Sequence, residues 1–214
     1  MDNTKFWILF IVIMVVMVVG TQLYKRYLLK RFMSTLKNRE FDAFFKIADG
    51  FASKYFFPYF NRLYMKMNAY MMMPDYKKVE ETFDELLSLR LNKKQNLDVS
   101  VKAFYYYLDE EKRGKCKELL ERIKSLGQDA VYEECKMMYD ILLCDKFDYI
   151  DSMQKQLDQV EGWNKGMICY MLAVQYHNKK DKENEKKYLD MASEELKESP
   201  YAAKINKMKE DNKS

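Results

Sequence analysis

Residues 169–192, CYMLAVQYHNKKDKENEKKYLDMA, read as two helices joined by one short polar turn. In the first stretch Cys169, Leu172, Ala173 and Tyr176 fall at i, i+3, i+4 and i+7, one face of a helix. The turn HNKKDK (177–182) carries no apolar residue, and the second stretch, KENEKKYLDMA (182–192), follows at once. So short a connection predicts two antiparallel neighbours.

The same unit recurs upstream. FDAFFKIADGF (41–51), YKKVEETFDEL (76–86), RGKCKELLERI (113–123) and FDYIDSMQKQL (147–157) align with 182–192. Their fourth positions are Phe44, Val79, Cys116, Ile150 and Glu185, separated by 35, 37, 34 and 35 residues. Twelve residues before the last four stand Met67, Phe104, Met138 and Ala173, and three after those come Tyr70, Tyr107, Ile141 and Tyr176. The connecting turns are MPD (73–75), DEEK (109–112), DK (145–146) and HNKKDK. A helix pair repeated at this period is the signature of an α-solenoid. The expected architecture is therefore all-α.

Leu172-Ala173-x-x-Tyr176, Ala192 and the following Pro200 resemble the tetratricopeptide repeat family over about residues 41–199. The resemblance implies a right-handed solenoid of antiparallel pairs. Residues 200–214 are expected to form a short C-terminal capping helix that frays into a disordered tail. Larger residues (Met67, Phe104, Met138) replace the family's small residue on the other first helices. The resemblance also implies a concave groove lined by the first helix of each pair. Transferred by spacing, the groove positions are Tyr64, Asn68, Met71 and Met72, then Tyr105 and Leu108. They continue with Tyr132, Tyr139 and Leu142, and end with Tyr170 and His177. Asn68 stands where relatives hold a peptide backbone. The family's Lys/Arg clamp for a terminal carboxylate has no counterpart among these positions. A surface rich in Tyr and Met suits an apolar protein or peptide partner. The competing reading is that this stripe is ordinary core.

Ahead of the repeats lies FWILFIVIMVVMVV (6–19), without a polar residue, extended by Gly20–Tyr24. Residues 6–24 span roughly 28 Å as a helix, the thickness of a bilayer's hydrocarbon layer. Residues 1–5 form a short tail before it. Lys25, Arg26, Lys30 and Arg31 follow within one turn or two, and Lys37 and Arg39 shortly after. Such a cluster favours the cytoplasmic side and anionic headgroups. The expectation is a retained single-pass anchor in the cell membrane, N-terminus outside and repeats in the cytoplasm. A cleaved signal peptide is the alternative, but Asp2 and the lack of an A-x-A site speak against it. The segment 24–38 has neither Pro nor Gly. It occupies the place of a first helix whose second helix is 41–55, so the anchor is expected to run on through the basic 25–40 stretch into the first repeat. The aromatic run FFPYF (56–60) is either a joint between repeats or an interfacial contact with lipid.

The remaining composition narrows the function. Among 214 residues there are only six Gly and three Pro, which favours helices. The net charge of +4 owes much to residues 25–39, so no basic face for nucleic acid is expected. Cys116, Cys135, Cys144 and Cys169 are widely spaced and read as reduced thiols. One His and no nucleotide, zinc or nucleophile-elbow motif leave no basis for an enzyme, a metal or a cofactor. The expected function is a membrane-anchored adaptor or scaffold. The alternatives are a structural subunit of a larger membrane complex, or an exported envelope domain of reversed topology.

Overall fold

The computed structural model describes residues 3–73 and 75–212, with side chains from residue 6 onward. Every regular element among them is a helix. The chain forms two compact units, residues 1–91 and 92–214.

The first unit begins with α1 (Asn3–Lys37), one unbroken helix. From Phe6 to Tyr27 every side chain is exposed, and then one face turns inward: Leu28, Phe32 and Thr35 are buried. A spacing of four and three residues keeps those three on one side of a helix. Phe32 packs edge-on to Phe44 at 5.4 Å and to Phe57 at 5.8 Å. Burying Leu28 and Phe32 contributes about 1.5–3 kcal/mol each. The apolar run and the basic segment are therefore one element, and Leu28, Phe32 and Thr35 near its end enter the core of the first unit.

α2 (Phe41–Asp49) and α3 (Phe51–Phe56) correct the expected continuous helix at 41–55. Gly50 breaks it with an extended backbone, φ −64° and ψ 152°. A Cβ there would lie 3.3 Å from the carbonyl oxygens of Lys46 and Ile47, so the break is tight. Ser53 Oγ donates to the Ile47 carbonyl at 2.6 Å and bridges it. α4 (Tyr59–Met71) and α5 (Tyr76–Ser88) pack together and complete the unit. The Asp75 side chain caps α5 by accepting from Lys78 N.

The second unit holds α6 (Lys93–Asp109), α7 (Arg113–Ser125), α8 (Asp129–Leu143), α9 (Ile150–Leu157), α10 (Gly162–Asn178), α11 (Lys182–Glu195) and α12 (Ala202–Asp211). α6 starts with a reciprocal cap between Asn92 and Gln95. α9 begins three residues later than the alignment predicts, after an exposed Phe147. α10 and α11 pack closely, and a Cβ on Gly166 would come within 2.7 Å of the Leu196 side chain.

The 35-residue register has a physical basis. All five fourth positions are buried, the charged Glu185 included. Met67, Phe104 and Ala173 are fully buried, while Met138 is half-buried. A second regularity was not visible in the sequence. Arg39, Glu111, Asp145 and Lys180, each five residues before a fourth position, all have positive φ of 53–63°. The equivalent residue of the remaining pair, Pro74, lies outside the described residues. At three of these turns the chain closes with the same two backbone bonds. Lys112 N donates to Tyr107 O and Glu111 N to Leu108 O; Asp181 N donates to Tyr176 O and Lys180 N to His177 O; Glu40 N and Arg39 N do likewise to Thr35 O and Leu36 O. This is a Schellman closure, normally built on glycine. At Asp145 the loop is one residue wider, with Lys146 N donating to Asp140 O.

A non-glycine residue in the left-handed region costs about 1–2 kcal/mol. Glu111→Gly and Lys180→Gly are therefore expected to stabilise the protein, by about 0.5–1 kcal/mol each after the entropy that glycine adds to the unfolded chain. Thermal melts of the two single variants and the double variant measure this directly.

Candidate functional site

In the second unit, α6, α8, α10 and α12 surround a cavity of about 620 Å³, within the size range of ligand and peptide sites. Its apolar wall comes from Tyr105 and Leu108 on α6, Met138, Ile141 and Leu142 on α8, and Tyr170 and Val174 on α10. Tyr201 and Met208 close it from α12. Charged residues ring it: Asp109, Glu111, Asp145 and Asp211 opposite Lys204 and Lys207.

Several polar groups on this wall have structural partners. Tyr105 OH donates to Glu134 at 3.0 Å, and burial together with the Glu134 charge pushes its pKa well above the usual phenol range. His177 Nδ1 lies 3.0 Å from Glu185 Oε1, giving the buried carboxylate a partner. Asn178 Nδ2 donates to Ile141 O at 3.0 Å and Lys146 O at 3.2 Å, tying α10 to the end of α8. Lys204 Nζ meets Asp109 at 2.5 Å, joining α12 to the end of α6. The Tyr201 ring sits 5.5 Å from Tyr170 and 6.1 Å from Trp163. A partner would meet half-buried aromatic and aliphatic surface from Tyr105, Met138, Leu142, Val174, Tyr201 and Met208, inside a rim of exposed charges.

Five of the predicted groove positions meet at this cavity: Tyr105, Leu108, Leu142, Tyr170 and His177. Two of them, Leu108 and Tyr170, are buried at 6 % exposure, so they form the floor and are not displayed. Tyr132 and Tyr139, though on α8, do not line it. Tyr132 lies against Lys124 Nζ, 5.4 Å from its ring, and Tyr139 is half-buried beside Cys144. Tyr64, Asn68 and Met71 lie on α4 in the first unit, and Met72 caps its end. That unit has its own hollow of about 460 Å³, mostly charged and lined by none of these four. Lys25, Arg26, Lys30 and Arg31 are all exposed on α1, immediately after the apolar run.

Sequence reasoning expected a C-terminal capping segment but not that α12 closes the cavity. Tyr201, Ile205 and Met208 recur at i, i+4 and i+7, a short apolar stripe that reads as a plain cap. It also missed a neighbouring hollow of about 450 Å³, walled by Met137, Met153, Met167 and Met171 with half-exposed Trp163. This hollow shares Tyr105, Met138 and Tyr201 with the first.

Burial pushes the Cys116 thiol up to about 11 and the Cys135 thiol to about 12, which makes these two poor nucleophiles. No cluster of metal-ligating side chains occurs among the described residues. A buried ionic knot supports the site from behind. Asp140 accepts from Lys136 at 2.8 Å, from Tyr149 OH at 2.8 Å and from Lys146 at 3.1 Å. Tyr149 N donates to the buried Gln175 at 2.9 Å, which binds α9 to α10. Burial alone would raise the Asp140 pKa, but these three donors outweigh it and hold the carboxyl below its ordinary value.

A depressed folded-state pKa stabilises the protein above the unfolded value of about 3.9 and is lost as pH falls through the folded one. Asp140→Asn is expected to cost about 1–3 kcal/mol at pH 7 and to flatten the loss of stability below about pH 4, as read from denaturant titrations across pH. The His177–Glu185 pair makes a second test. His177→Ala leaves a buried carboxylate without that partner and is expected to cost about 1–3 kcal/mol. In a Glu185→Val background, which restores the apolar residue of the register, the same change is expected to cost almost nothing; a double-mutant cycle gives the coupling.

No family model matches this chain, and neither a curated protein nor a solved structure is significantly similar to it.

Proposed function

We propose that this chain is a single-pass membrane adaptor whose tetratricopeptide-like helical repeats bind an apolar segment of a partner protein at the cytoplasmic face. The observation that carries the reading is the convergence of Tyr105, Leu142 and Tyr170 from three successive first helices on one concavity. Aromatic and Met side chains give a large contact area at low entropic cost, and such residues dominate adaptable recognition surfaces. The anchor half of the reading rests on α1, which is long and apolar enough to cross a membrane and has none of its apolar window covered by the rest of the protein. The cations after it favour the cytoplasmic side for both units. The solenoid half rests on the buried 35-residue register and the repeated left-handed closures.

The test is photo-crosslinking in cells with a reactive residue at Leu142, on the cavity wall, and a control at exposed Lys155. One protein captured from Leu142 and not from Lys155 is the expected outcome; loss of capture on Tyr105→Arg would place the contact inside the cavity. No capture at Leu142 from membrane-inserted protein would sink the adaptor reading. Topology is tested separately. Cys116, Cys135 and Cys169 are buried and Cys144 is half-buried, so an impermeant thiol reagent is aimed at an introduced Lys155→Cys with Cys144→Ser beside it. Protection in intact cells and labelling after permeabilisation are expected.

A further inference from the structure

Outside the apolar run of α1, the most exposed large apolar side chains of the protein sit on α3. Phe51 is 86 % exposed and Tyr55 74 %. They are four residues apart, so they share one side of the helix. Ser53 and Phe57 turn the opposite way and are buried. Single exposed apolar residues need no explanation, but two adjacent aromatics exposed this fully cost free energy in water.

The end of α3 is fastened to α1 at a particular height. The Phe56 ring lies 5.5 Å from Tyr24, and Lys25 Nζ sits 5.8 Å over the Phe57 ring. Tyr24 is the last residue of the apolar stretch and Lys25 its first cation. Phe44, by contrast, meets Phe32, two helical turns farther from the apolar run. Phe56 thus reaches the level at which the apolar span ends, while Phe57 beside it bridges Lys25 and Phe32. Phe51 and Tyr55 lie on the short helix that leads to Phe56. Exposed Lys54 lies between them in sequence, and exposed Arg26 follows Lys25 on α1. Aromatics interleaved with Lys and Arg are what the bilayer–water interface selects.

We infer that α3 is a second membrane contact, with Phe51 and Tyr55 seated in the interfacial layer of the bilayer that α1 crosses. The occupant of this face is lipid. The inference rests on the reading of α1 as a span. It adds that the first unit lies against the membrane by a fixed face, which stops it from turning about the α1 axis.

The test uses the full chain in vesicles of phosphatidylcholine and phosphatidylglycerol carrying brominated acyl chains. Bromines are placed either near the headgroup or near the bilayer centre. One chain keeps Trp7 alone through Trp163→Phe. A second carries Phe51→Trp with both native tryptophans changed to Phe, and a third carries Lys155→Trp on the same background. The expected result for Phe51→Trp is a blue-shifted emission, quenched more by shallow than by deep bromines. Lys155→Trp should be unquenched and Trp7 quenched. A water-like, unquenched Phe51→Trp beside a quenched Trp7 overturns the second contact and leaves the span intact. An unquenched Trp7 overturns the span and this inference with it. Phe51 is too exposed for its replacement to unfold the unit, and far-UV circular dichroism checks that.

Discussion

The first unit depends on Phe32. From Phe6 to Val19, α1 is apolar and exposed on every side. At Leu28 and Phe32 the same helix becomes one-sided and enters a core shared with Phe44, Ala48 and Phe57. One helix thus carries two patterns of apolar residues in succession. A helix apolar all round suits lipid, and a helix with one apolar stripe suits a protein core. Because the helix is unbroken between these regimes, the position of the first unit along α1 is fixed by packing and not by a tether.

The second unit is held differently. Its centre is a dense cluster around Leu172, Tyr176, Leu189 and Ile205, with Tyr176 and Tyr188 stacked at 5.5 Å. Polar side chains join the helices at chosen points: Gln154 reaches both of those tyrosines, Gln175 holds the start of α9, and Asn178 holds the end of α8. Such satisfied polar links specify one arrangement among the several that apolar packing alone permits. They also explain why His177, which the family resemblance places in a groove, spends its hydrogen bond on the fold, as its neighbour Asn178 does.

Helix positions were legible in the sequence because burial imposes a period. Val79, Cys116 and Ile150 had to be apolar to sit where they do, and the 35-residue spacing exposed them. Glu185 was legible as the odd member, but its partner His177 was not, since a pairing eight residues apart across a turn leaves no pattern. Part of the candidate site was legible too: Tyr105, Leu142 and Tyr170 were placed by the family resemblance, transferred along the repeat. Tyr132 and Tyr139 did not follow, because a step of one residue on a helix swings a side chain by about 100°, beyond the accuracy of an alignment of degenerate repeats. The break at Gly50 and the placement of α12 over the cavity depend on tertiary contacts such as Lys204 with Asp109, ninety-five residues apart. Nothing local encodes those.

The continuity of α1 has a mechanical side. A helix that meets a bilayer thinner than its apolar length tilts to bury the excess. A flexible linker would absorb that tilt, but α1 carries it through Lys25 and Arg26 into the socket around Phe32. In the proposed setting, a change of membrane thickness would therefore be felt as a change of attitude of the whole first unit, and the protein would read the lipid around it as a lever reads its fulcrum.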